Sequence, residues 1–153
     1  MSYLNQSQLD VAGLLSLGVH VPRAADTLPQ TATEAIYTVT GRVIIMRLFA
    51  TVTTVFQSTD PVLKVTSNPT TGTSLDIAST VDSKDAEVGG SLVVEGDGTA
   101  LVLGTAGAAY LAGNPWMANS GTIDLTAGAS KTGALKWDLY YFPLEDGASV
   151  VAA

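Results

Sequence analysis

The stretch Val43-Ile44-Ile45-Met46-Arg47-Leu48-Phe49-Ala50-Thr51-Val52-Thr53-Thr54-Val55-Phe56 decides the fold. Ile44, Met46, Leu48, Ala50 and Val52 recur at every second position, and Phe56 falls on the same face. Val43, Ile45, Arg47, Phe49, Thr51 and Thr53 fall between them. Strand side chains alternate between two faces, whereas a helix repeats every ~3.6 residues. The run is therefore a strand with one continuous apolar stripe and one mixed, half-polar face. It is longer than the usual ~5–6 residues, which predicts a bend or bulge near Ala50 or Thr51.

The same period continues on both sides. Ile36 to Thr40 is β-rich and leads through Gly41-Arg42, a tight turn, into the long strand. Asp60-Pro61 starts a turn before Val62 to Thr66. Asn68-Pro69-Thr70-Thr71-Gly72 reads as a loop, and Leu75 to Ala78 as the next strand. Leu92 to Val94 and Leu101 to Leu103 flank the hairpin-type loop Glu95-Gly96-Asp97-Gly98. Residues 104–121 are rich in Gly and Ala and read as a long loop. Alternation returns from Gly121 to Ala127 and again from Ala134 to Phe142. In that last run Leu135, Trp137, Leu139 and Tyr141 share one face; Lys136, Asp138, Tyr140 and Phe142 share the other. Pro143 ends it, and Leu144 to Ala153 reads as a short extension.

About eight short strands between turns predict an all-β domain over residues 35–153, a β-sandwich or barrel of which a jelly roll is one form. Residues 1–34 read differently. Leu4, Leu9, Val11, Leu14, Leu15 and Leu17 are loosely spaced, and Gly13 and Gly18 interrupt any long helix. Pro22 and Pro29 stiffen the segment before the first clear strand. This is the pattern of an extended N-terminal arm with one short helical turn at most. Two readings of it stay open: a lead-in that packs on its own domain, and an arm that reaches a neighbouring subunit.

Composition narrows the function. The 153 residues contain 14% charged residues, against about 25% in an average soluble domain. The net charge is −7 and no basic cluster exists, so nucleic acid is not an expected partner. With no cysteine, disulfides, thiolate metal sites and Cys nucleophiles are excluded. No apolar run reaches the ~18 residues of a membrane span, and the first residues lack the basic start of a secretory signal.

The residues that carry chemistry are few. The only histidine is His20, so any Ser–His–Asp arrangement would rest on that one residue. Its expected role is that of a bystander. Asp82, Asp85, Glu87, Glu95 and Asp97 lie in two turns, but their spacing is not that of a calcium loop, and they read as solvated turn acids. No catalytic, cofactor-binding or metal-ligating residue is expected, and the chain is not expected to be an enzyme. The remaining candidates are residues suited to contact. Trp116 follows Pro115 in the long loop, where it either anchors an interface or plugs an end of the sandwich. Tyr140 faces away from the core side of its strand. Together with Tyr3, Leu4, Leu9, Leu14, Leu15 and Pro22 of the arm, these are the expected interface residues.

Several strings resemble a family of small tailed-phage virion proteins. They are Arg47 to Gln57, Ser67-Asn68-Pro69-Thr70-Thr71-Gly72-Thr73, and Gly121-Thr122-Ile123-Asp124-Leu125. Lys131 to Trp137 and Pro143-Leu144-Glu145-Asp146-Gly147-Ala148 look like the same family's C-terminus. The resemblance covers residues 35–153 and leaves the arm outside it. It implies a capsid decoration or cement protein, commonly a homotrimer bound to the major capsid protein on the outer surface of the virion. Two other functions compete with it. A tail or fibre module that binds host carbohydrate would need an exposed aromatic groove using Trp116 or Tyr140. A glycan hydrolase would need a pocket holding a carboxylate of raised pKa.

Overall fold

The computed structural model describes residues 18–56, 62–83, 86–111, 113–128 and 132–153. They form an all-β body of two antiparallel sheets, with no helix among the described residues. The six-stranded sheet runs β1 (Val19–Thr27), β10 (Ala134–Pro143), β3 (Val43–Thr54), β6 (Ser91–Val93) and β7 (Val102–Gly104). β8 (Trp116–Ala118) pairs with the opening residues of β3, Val43 to Ile45. The five-stranded sheet runs β11 (Ser149–Ala152), β2 (Thr33–Thr40), β9 (Gly121–Ala127), β4 (Val62–Pro69) and β5 (Leu75–Asp82).

Of the two forms expected, sandwich or barrel, the two-sheet sandwich is present, with 11 strands in place of about eight. The three additional strands are β1, β8 and β11. β1 lies inside the segment read as an arm. It pairs with β10 from Val19↔Tyr141 to Thr27↔Ala134 and forms one edge of its sheet. The part of residues 1–34 outside the described residues is therefore 1–17. β8 lies in the Gly/Ala-rich stretch, and β11 in the segment read as an extension.

β3 corrects the stripe read from the sequence. Val43 and Ile45 are buried, and so are Leu48, Ala50 and Val52, while Ile44 and Met46 are only partly covered. The phase changes because Tyr140 pairs with Arg47 and Tyr141 with Ile45, leaving Met46 as an extra residue. One inserted residue turns every earlier side chain to the opposite face. The bulge thus lies at Met46, not near Ala50 or Thr51. A second irregularity in the same ladder lies where Ala134 pairs with Thr54 and Leu135 with Val52.

The core fills the space between the sheets. Leu135, Trp137, Leu139 and Tyr141 of β10 are all buried, as their alternation requires. They meet Leu48, Ala50 and Val52 of β3 from their own sheet, with Ile123 and Leu125 of β9 and Leu63 and Val65 of β4 in the same cluster. Burying side chains of this size stabilises the fold by about 1.5–3 kcal/mol each. Tyr37 is fully buried, and its hydroxyl donates to the carbonyl of Val21 at 3.0 Å, tying β2 to β1 across the sandwich.

The two sides of the sandwich close differently. On one, the buried Arg23 of β1 donates to Asp26, Glu34 and the carbonyl of Ala153. On the other, Ser79 of β5 bridges to Ala100, with Ser79 N on Thr99 O at 2.9 Å and Gly98 N on Ile77 O at 3.0 Å. The segment 98–101 thereby covers the edge of β5 and joins the two sheets. At one end, Gly121 opens β9 with φ of +154° against Pro69; a Cβ there would lie 2.2 Å from Asn68 O. β4 accordingly extends through Pro69, further than the loop read over residues 68–72.

Candidate functional site

The two outward faces of the sandwich differ in chemistry. On the five-stranded sheet, Thr38, Lys64, Thr66, Asn68, Asp76 and Thr122 alternate with the buried residues. Their polar groups are largely bonded to each other. Thr66 donates to Asp76 at 2.9 Å, Lys64 pairs with Asp76 at 3.1 Å, and Asn68 donates to Asp124 at 3.2 Å. The Thr66 hydroxyl, followed by Lys64, holds the Asp76 carboxyl below its usual pKa. This is a polar surface whose groups are largely bonded to one another, with Asp124 Oδ1 left buried and without a partner.

The outward face of the six-stranded sheet carries rings. His20 of β1 stacks on Tyr140 of β10, with centroids 4.6 Å apart and planes 17° apart. Phe49 of β3 follows, its centroid 6.4 Å from that of Tyr140 and its plane at 21°. The strand order β1-β10-β3 sets this row, since each ring stands on a neighbouring strand. Such cross-strand pairs contribute roughly 0.2–1 kcal/mol each. His20 Nε2 donates to Asp138 Oδ1 at 2.7 Å, which fixes the imidazole on the row; the His20 side chain is 41% exposed and that of Asp138 16%.

Two cations border the rings. Lys136 is exposed two residues before Asp138 and makes no ion pair among the described residues. Arg47 donates to the carbonyls of Met46 (2.7 Å) and Gly113 (3.0 Å), which pins the Gly/Ala-rich loop against β3. That loop lines a groove with Val93 and Val102 and ends in Tyr110, which is 92% exposed. The face thus offers ring edges, apolar side chains, one carboxylate and two cations on an open sheet. This inventory suits recognition of another surface through area and shape fit.

The expected interface residues fall in three groups. Tyr3, Leu4, Leu9, Leu14 and Leu15 lie outside the described residues. Tyr140 sits at the centre of the ring row, and Pro22 is exposed on β1 opposite Asp138. Trp116 is half-buried against the core, with its indole Nε1 enclosed and without a hydrogen-bond partner, so it does not join the row. Sequence reasoning missed His20, Phe49, Lys136 and Arg47 as a group. The signal for His20 was available: it alternates with Val19 and Val21 and so stands on an outward face once that segment is read as a strand.

Of the turn acids, Asp97 bonds within its own turn, and Glu87 ties its turn to the loop that follows β7. Glu87 accepts from the Ala106 amide at 2.8 Å, and the Thr99 hydroxyl and amide hold the Asp97 carboxyl below its usual pKa. Asp85 lies outside the described residues. Among the described residues, no three His, Asp or Glu side chains converge as metal ligands would, and no helix is long and apolar enough to cross a membrane. No protein-family model and no curated protein matches the sequence, and no solved structure matches the fold.

Proposed function

We propose that this is a structural virion protein that binds the outer surface of a tailed-phage capsid. In this reading it cements neighbouring subunits of the major capsid protein, as a homotrimer, against the internal pressure of packaged DNA. One observation carries it: the sandwich has one polar Thr/Asp/Asn face and one face of rings, apolar groups and cations. A protein that lies on a shell needs such a division, one side for the shell and one for solvent. In a chain of net charge −7, Lys136 and Arg47 on the ring face also favour a partner surface bearing carboxylates. Cementing needs area, shape fit and many modest contacts rather than a reactive centre, and several copies in one assembly multiply them. The resemblance of residues 35–153 to small phage virion proteins points the same way.

A cryo-EM map of the source particle tests this. The expected result is density on the outside of the head with the His20–Tyr140–Phe49 row toward the shell. Density confined to the tail overturns it.

A second reading, a tail or fibre module that binds host carbohydrate, draws on the partial exposure of His20 and Tyr140. Sugar stacking requires an open ring face. The three rings turn their faces to each other, which leaves the outer side of His20 as the stacking surface of the row. Glycan-array binding that disappears in Tyr140→Ala would favour this second reading over the first.

A further inference from the structure

The two edges of the six-stranded sheet are built differently. β1 carries Pro22 and a register break between Arg23 and Asp26, devices that keep an edge strand from pairing with another chain. β7, at the opposite edge, reads Val102-Leu103-Gly104 and has neither. Around it, Val88, Val102, Leu103, Tyr110 and Leu111 are all exposed, and two grooves flank Leu103. The Ala106 amide bonded to Glu87 holds Val88 and the 105–111 loop on the same side. Five of the ten exposed large apolar side chains among the described residues thus gather about this short edge, the grouping expected of a contact site.

The chain contains a segment that fits this patch. Residues 1–17 include Leu4, Leu9, Val11, Leu14, Leu15 and Leu17 and a single charged residue, Asp10. This segment joins the body at Gly18, at the start of β1, on the far edge of the same sheet. With strands ~4.8 Å apart, the two edges are roughly 19 Å apart and face away from each other. Seventeen residues of extended chain reach up to about 60 Å. To reach its own β7 the segment would have to cross the full width of its own sheet. The β7 edge of an adjacent copy requires no such crossing. We infer that the β7 edge and Tyr110 receive residues 1–17 of a second copy of this chain. A segment on one edge and its receptor on the other make a head-to-tail contact, which closes into a ring when the rotation allows. The inference deepens the homotrimer part of the proposed function, but its test uses no capsid, so head binding stands or fails separately.

The test starts from the mass of the full-length protein in solution, measured by light scattering. The expected result is an assembly larger than the 15.7 kDa chain, reduced to single-chain mass in Leu14→Asp/Leu15→Asp and in Tyr110→Asp. Tyr110 is 92% exposed, so the second variant leaves the fold intact, which circular dichroism checks. The chain has no cysteine, so introduced thiols report without background. Mixing Leu14→Cys protein with Leu103→Cys protein under oxidising conditions should give a covalent dimer containing one copy of each. Three results overturn the inference. They are a monomeric parent protein, an assembly that survives both sets of Asp substitutions, and a Leu14→Cys/Leu103→Cys double variant that closes only within one chain.

Discussion

The imidazole of His20 lies against the ring of Tyr140 at 4.6 Å, although the two residues are 120 positions apart in the chain. The contact joins the edge strand β1 to the neighbouring interior strand β10, and the bond to Asp138 holds it in place. His20→Ala is expected to lower stability by roughly 0.2–1 kcal/mol, the usual value of a cross-strand pair. The measurement is the urea midpoint at unchanged m-value. An unchanged midpoint would mean that the row is not held together by stacking.

Tyr37 predicts the alkaline limit of the fold. Burial, reinforced by the Asp138 carboxylate and opposed by Arg23, pushes its hydroxyl far above the usual value of about 10. Above that pH the unfolded chain loses the tyrosine proton while the folded chain keeps it. Stability is therefore full below about pH 10 and falls as pH rises further. Denaturant unfolding between pH 9 and 11.5 should show this slope. Tyr37→Phe should flatten it and cost about 1 kcal/mol at pH 7 for the lost bond to Val21.

Arg23 closes the β1/β11 side of the sandwich through three acceptors. Removing one partner of a buried pair costs about 3–5 kcal/mol. Asp26 and Glu34 are partly solvated, with side-chain exposures of 53% and 34%, which reduces that cost. Arg23→Ala should therefore destabilise by about 1–3 kcal/mol. Arg23→Lys should recover only part of it, because an ammonium cannot reach three acceptors in the guanidinium geometry. Chemical denaturation of both variants decides.

Lys136→Glu separates docking from folding. The side chain is exposed on the ring face. Stability should change by less than ~0.5 kcal/mol, as for other surface substitutions. Sedimentation with purified heads of the source particle should show weaker association than the parent protein. Equal association would remove the cation from the docking argument.

Gly121→Ala should destabilise by about 1–3 kcal/mol. Its φ of +154° and the 2.2 Å approach to Asn68 O leave no room for a Cβ, and backbone atoms cannot rotate away. Thermal unfolding measures the loss.

The sheet-forming runs were legible because alternation is local. β10 shows this best: Leu135, Trp137, Leu139 and Tyr141 turn inward as their spacing states, and Tyr140 outward. β3 was legible as a strand but not in phase. Its bulge is set by pairing with Tyr140 and Tyr141, almost a hundred residues later, and no local pattern carries that. β8 and β11 are three and four residues long and lie in stretches that read as loop and tail, whereas the equally short β6 and β7 were marked by the hairpin-type loop between them. β1 was hidden by Pro22 and by Ala24-Ala25, which dilute an alternation that Val19, Val21 and Arg23 keep. The ring row shares that cause. Phe49 and Tyr140 were placed on their strands, but His20 joins them only when β1 is recognised. The polar/apolar contrast between the outward faces depends on strand order, which sequence spacing does not encode.

That strand order bears on how the protein is made. β10 stands between β1 and β3, and β9 between β2 and β4, so one interior strand of each sheet comes from residues 121–143. During synthesis β1 to β8 emerge first, with neither sheet able to close. Until the two late strands insert, β1 and β2 have no ladder partner inside their sheets. The ladders of β1 and β2 thus depend on pairings between distant parts of the chain, the kind of topology that folds slowly.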